Sequence, residues 1–302
     1  MEKKWKQIKE NKNKIILFLL ITIIAICGFT WYGKNRAEKQ TISAEIEEYG
    51  VSQTTVPDGY TGIYNAEDLA NVNNNLSGKY ILMADIDMTG KNHTIIGQSS
   101  SFAGIFDGNF HKISNLTIES ANQYVGMFGN VLSCTIKNIR LENINIKGTI
   151  STEEQYIGGL IGRSYGAIIE GIEIEGCVIE EIENPKISYI GGLVGKAVTN
   201  STIKYSYADI NIIGGTGINY IGGLVGELRD ATINESYSKG DILIGSGGGV
   251  IGGLVGSVYN SAGSYAIKDA YSTVNINGNV IFENNYVGGL IGYINRKKLI
   301  CI

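Results

Sequence analysis

The chain has 302 residues, enough for one large domain or two ordinary ones, and 43% of them are apolar, enough for a sizeable core. Glycine occurs 41 times and proline twice, which excludes collagen-like and Pro-rich disordered chains. Residues 1–39 hold nine Lys/Arg and three Asp/Glu, leaving 16 against 26 and a net charge of −10 for the remainder; an acidic body without a basic patch excludes nucleic acid as a partner.

In chain order, residues 1–14 form a basic segment expected in the cytoplasm. Residues 15–32 are an uncharged, mostly apolar run of 18, long enough to cross a bilayer as a helix. The heavier basic flank precedes this run, so the rest of the chain is expected outside. The bulky Phe29, Trp31 and Tyr32 at its end suit a membrane interface and favour an uncleaved anchor over a removed signal. Residues 33–59 read as a polar spacer. In residues 60–78 a short helix is expected, capped by Asn65 with Asp68 at the third position, running to Ser77 and stopped by Gly78. It is placed to cover the open end of the repeat array that begins at residue 79. Strands are expected at residues 80–83, 94–95, 102–106 and 113–118.

The main signal is internal repetition. The heptad Tyr-Ile-Gly-Gly-Leu-Ile-Gly at residues 156–162 recurs at 189–195, 220–226, 250–256 and 286–292, with a shortened copy at 124–129. The starts are 32, 33, 31, 30 and 36 residues apart. Each repeat also carries a Tyr followed by a small residue (Tyr207, Tyr237, Tyr271) and two aliphatics flanking one residue (Ile210/Ile212, Ile242/Ile244). No helical period lies between them, so residues 79–302 read as a right-handed parallel β-helix with three short strands per coil, six or seven coils in all. Coils stack about 4.8 Å apart, and each shields its neighbour's aliphatics. The glycine pairs Gly158-Gly159, Gly191-Gly192, Gly222-Gly223, Gly252-Gly253 and Gly288-Gly289 are expected at a bend or at a backbone approach that a Cβ would block. The final coil lacks its second and third elements, so the reading frame is expected to be truncated.

The run 80–88, then residues 95–97, Phe102-Ala-Gly-Ile-Phe-Asp-Gly-Asn-Phe-His111 and Ile113-Ser-Asn-Leu116, resembles the opening of GLUG-motif proteins, and the heptads resemble the GLUG motif itself. The resemblance spans roughly residues 60–292. It implies a bacterial surface or secreted protein, similar to the non-catalytic N-terminal repeat region of IgA1-specific zinc metallopeptidases. Their chemistry sits in a separate HExxH domain. This sequence has no HExxH and only two histidines, His93 and His111, so that activity does not carry over.

Candidate chemistry is sparse. Asp85 and Asp87, with Asp107 near in sequence, are weak candidates for a hard cation or an acid–base pair. Their bland alternative is to satisfy backbone donors at turns. The Glu-rich stretch 170–183 alternates with Ile and Val, as a strand with a solvated face should. A formal GxGxxG at 247–252 is generated by the repeat and is not a phosphate loop. Cys134 and Cys177 read as buried free thiols. Tyr156, Tyr189, Tyr220 and Tyr286 occupy equivalent positions and could form a ladder, facing a ligand or only packing. The chain is therefore expected to lack catalysis, cofactor and metal. It would act as a membrane-anchored display module for adhesion, for binding a host or cell-wall glycan or protein, or for spacing. The alternatives are the N-terminal region of a larger secreted enzyme and a carbohydrate-active β-helix.

Overall fold

The computed structural model describes residues 52–149, 154–181, 186–215, 217–245, 247, 249–260, 266–278 and 285–296. The expected cytoplasmic segment, the anchor at 15–32 and most of the spacer lie outside them. Among the described residues no helix is long and apolar enough to cross a membrane. Those from Ser52 onward form an all-β parallel solenoid of about five turns with one short helix, fewer turns than the six or seven coils expected.

The solenoid opens with β1 (Thr61–Ile63) and helix α1 (Ala66–Asn71). Asn65 starts the helix by accepting from the N–H groups of Glu67 and Asp68 at 2.9 and 3.0 Å. Asp68 accepts in return from Tyr64 N–H. The helix ends short of the expected Ser77, tightening into a 3-10 turn at Val72–Asn74. The asparagines there bond elsewhere: Asn74 donates to Asn71, and Asn73 reaches the carbonyl of Ile95 and the N–H of Gly97. Leu69 and Val72 are fully buried in the core.

Next come β2 (Lys79–Leu82), β3 (Ile86–Asp87), β4 (Ile105–Asp107), β5 (Lys112–Ser114) and β6 (Thr117–Ser120). The strand expected at 94–95 is reduced to a single bridge at the next residue, Ile96 to Phe128, and the one expected at 102–106 forms only at its end, in β4, with an isolated bridge from Phe102 to Val131. The strand expected over 113–118 is broken at Asn115, whose φ of 59° turns the chain.

The regular part stacks rung on rung. The first rung is β7 (Tyr124–Val125), β8 (Phe128–Leu132) and β9 (Thr135–Gly148). The second is β10 (Gln155–Gly158), β11 (Ile161–Tyr165) and β12 (Ile168–Glu181). The third has four strands, β13 (Ile187–Gly191), β14 (Val194–Val198), β15 (Thr202–Lys204) and β16 (Tyr207–Ile213). The fourth repeats this with β17 (Ile218–Gly222), β18 (Val225–Arg229), β19 (Thr232–Asn234) and β20 (Tyr237–Leu243). So does the fifth, with β21 (Gly249–Gly252), β22 (Val255–Asn260), β23 (Ile267–Lys268) and β24 (Tyr271–Asn277). The described residues close with β25 (Tyr286–Gly288) and β26 (Ile291–Arg296).

Three strands per coil therefore holds only in the first two rungs, where the third strand is 14 residues long rather than short. Later rungs cut that strand in two at Tyr205, Glu235 and Asp269, each at positive φ beneath Asn138 and Gly171 of earlier rungs. The heptad, expected as one element, is two strands in two different sheets. Conversely, the Tyr-small and paired-aliphatic elements, expected to be separate, share one strand. All pairings are parallel and nearly in register, in one 14-stranded and two six-stranded sheets. The heptad's Ile, Leu and Ile/Val point inward; Ile190, Leu193 and Val194 are completely buried, as are their counterparts Ile157, Leu160 and Ile161. Burying each such side chain contributes about 1.5–3 kcal/mol.

Candidate functional site

The glycines of the heptad carry φ values outside the left-handed region, so space rather than conformation demands them. A Cβ on Gly191 would lie 2.1 Å from the Val194 carbonyl oxygen of its own rung. On Gly192 it would lie 2.3 Å from the Gly223 carbonyl oxygen of the next rung. On the third glycine, Gly195, it would lie 2.6 Å from the backbone nitrogen of Ile157. The chain thus folds back at Gly192-Leu193 so closely that the outer faces of the two six-stranded sheets come together in a narrow seam.

Tyrosines fill one wall of the seam. Tyr124, Tyr156, Tyr189 and Tyr220 stack with successive centroid distances of 5.5, 5.2 and 4.9 Å and interplanar angles of 18°, 7° and 16°. Val250 then ends the ladder. Tyr286, expected to belong to it, is half exposed and packs instead on Tyr293. The facing wall is the column Asn130, Arg163, Lys196, Glu227 and Ser257, each the residue after its heptad. Lys196 Nζ sits 4.2 Å from the Tyr189 ring centroid and 2.9 Å from Glu227 Oε1. Arg229 Nε reaches the same carboxylate oxygen at 3.0 Å, and Glu227 is only 1% exposed. The sequence held a signal for this column, since aligning the heptads places these residues together.

A second ladder went unforeseen: Tyr207, Tyr237 and Tyr271 stack at 4.9 Å on the wide sheet, with Tyr207 O–H donating to Glu175. Burial raises the phenol pKa of Tyr156, Tyr189, Tyr207 and Tyr237 well above the usual value, so all four stay neutral at cellular pH. The Glu-rich stretch is less solvated than expected: Glu173 is 9% exposed and pairs with Arg140 at 3.3 Å.

The aspartates are held separately. Asp85 accepts from the Lys112 N–H at 3.1 Å and faces His111 Nδ1 at 3.0 Å. Asp87 accepts from Asn115 at 2.8 Å and twice from Thr89, which together hold its pKa down to about 2. Asp107 accepts from Asn109 N–H and Asn138 and pairs with Lys137 at 3.2 Å. Among the described residues no three His, Cys, Asp or Glu side chains gather as a metal site would require. Cys134 and Cys177 are free thiols that burial pushes up to about 12, far from nucleophilic.

The family model of the GLUG motif matches residues 187–213, the four strands β13 to β16. The chain carries a GLUG motif. Its third rung is therefore the GLUG unit, and the register places the other heptads on equivalent GLUG-like rungs. A solved structure named "IgA1 Protease" superposes with a TM-score of 0.52 at 22% identity, over 80% of this chain and 18% of that one, a likeness of fold. A second, "a putative immunoglobulin A1 protease from Bacteroides ovatus", is 18% identical with a TM-score of 0.44, over 82% of this chain and 86% of that one. The chain thus spans 18% of the first structure's length. No curated protein matches it.

Proposed function

We propose that the chain is a non-catalytic module displayed on a bacterial surface, anchored in the cell membrane by residues 15–32. Residues 33–59 hold it off the membrane, and the GLUG solenoid from residue 79 serves adhesion, ligand binding or spacing. A right-handed winding fits the hand of parallel crossovers. The observation that carries this reading is the use of the repeat's distinctive residues. Glycines, ladder tyrosines and the charged column contact their own counterparts in adjacent rungs, which builds a rod rather than a reaction centre. An epitope tag after residue 302 should be labelled by antibody on intact cells; labelling only after lysis would overturn the display.

A second reading is supported by the likeness to 18% of an "IgA1 Protease" chain: these residues as a non-catalytic region of a larger enzyme. Antiserum against residues 52–302 separates the two on an immunoblot of native cells. A band at the mass of 302 residues favours the module; one several times larger favours the enzyme.

A further inference from the structure

At its N-terminal end the solenoid is closed unevenly. β1, β2 and β4 extend one part of the wide sheet beyond β9, and β3 covers β5. Among the described residues β6 has no such cover: it pairs with β9 alone. The hydrogen bonds to β9 fix which groups face which way. Asn145 N–H donates to the Leu116 carbonyl and Thr149 N–H to the Ser120 carbonyl, so Ile118 and Ser120 turn toward β9. Strand alternation then turns the N–H and C=O of Thr117 and Glu119 the other way. Among the described residues they meet no partner, and both side chains are exposed.

This free edge borders a groove of about 560 Å³. Ile95 and Ile118 supply its apolar part, and Lys91, His93 and Gln98 stand around it. Among the described residues Gln98 Oε1 is buried without a hydrogen-bond donor, which marks a place where a donor is wanted. The column running on from the groove states what fits. Ile118, Ile146, Ile179, Ile212, Ile242 and Ile276 lie in register, one per rung.

We propose that β6 takes an extended peptide of a partner protein as an added parallel strand, with an aliphatic residue opposite Ile118. That aliphatic residue donates its N–H to the Thr117 carbonyl and accepts from the Glu119 N–H, as parallel pairing requires. Alternating donors and acceptors along an extended edge suit a peptide backbone, and the stacking already present in the rod continues one strand further. The site goes beyond the display reading and stands whether or not the rod is anchored.

The probe is a fluorescein-labelled hexapeptide, Ala-Asp-Ile-Asn-Ile-Ile, copying residues 208–213 of a rung that occupies the same column. Anisotropy with the full chain should show saturable binding. Glu119→Pro removes the free N–H and the exposed 3.7 Å ion pair with Lys147 but keeps the backbone bonds to β9, as an edge strand tolerates, and should weaken binding at least about tenfold with the melting temperature little changed. N-methylating the peptide at the isoleucine copying Ile212 should weaken it similarly. N-methylating the preceding asparagine, whose N–H points away, should not. This pair needs no variant and decides the matter if Glu119→Pro fails to fold. No saturation at millimolar peptide overturns the proposal, as do N-methyl twins that bind alike. Undiminished binding to a folded Glu119→Pro does so too, since it would place the peptide on another edge such as β24.

Discussion

Where the N-terminal region meets the first rung, Phe102 and Phe106 each pack on Phe128 at a centroid distance of 5.3 Å, with interplanar angles of 52° and 83°. In the GLUG-like rungs Tyr156, Tyr189 and Tyr220 lie within 16° of parallel. The first arrangement is that of an ordinary globular core, where rings choose edge-to-face or tilted contacts. The second is imposed. Identical residues in register, one strand spacing apart, cannot present edge to face without breaking the repeat, so they stack. The same contrast runs through the polar groups. Asp85, Asp87 and Asp107 each have their own set of partners, whereas Lys196 and Glu227 are counterparts in one column. The N-terminal region is held by individual contacts and the rungs by repetition, and substitutions should expose the difference.

The largest effect should come from Gly223→Val. A Cβ there would lie 2.2 Å from the Gly253 carbonyl oxygen of the next rung and 2.8 Å from Ser238 Cβ on β20 of its own rung. Backbone cannot yield as a side chain can, and a loss of about 4 kcal/mol, or roughly 10 °C in melting temperature, is expected. Gly289 occupies the same heptad position in the last copy, where nothing among the described residues lies within 4 Å. Gly289→Ala should therefore stay within about 0.5 kcal/mol of the parent by calorimetry. Equal effects at the two positions would show that the motif needs glycine for conformation, contrary to the close-approach account.

Next in size is Glu227→Ala. It strips the partner from Lys196, which is 12% exposed and lies over two tyrosine rings, and from Arg229. Leaving an ammonium group buried and unpaired costs about 3 kcal/mol or more. In urea denaturation the double variant Lys196→Met with Glu227→Leu should recover most of that loss, because the cost lies in the orphaned charge. A single variant as stable as the parent would mean that the seam is wet and the pair contributes little.

How much of this was readable before the fold depends on the same contrast. The rungs announced themselves because translation copies residues at equal spacing: the heptad, its inward aliphatics and the register of Tyr156 under Tyr189 all come from one alignment. The Asn65 cap was readable because it is local, decided within three residues. What was missed depends on distant, unlike partners. Asn115 breaks a strand at a φ that hydropathy does not encode, and Asp85 meets His111 across 26 residues without any repeated spacing. The split heptad escaped for a different reason. The glycine pairs pointed to a bend or a close approach, but the apolar pattern on either side of Gly192-Leu193 does not say that the two halves join different sheets.

Asp87 gives the smallest effect and the one most specific to the N-terminal region. Three hydrogen bonds to one carboxylate oxygen, led by that from Asn115, lower its folded pKa to about 2 from an ordinary 3.8. A depressed carboxyl stabilises the fold above its unfolded pKa, and that contribution disappears as pH falls through its folded one. The parent and Asp87→Asn should therefore differ most above pH 4, and the gap in melting temperature should close as pH is lowered toward 2. An amide keeps the shape but titrates nowhere, so any remaining acid slope belongs to other groups. A gap that stays constant from pH 7 to 2 would remove the ionic part of this account and leave only packing at Asn115.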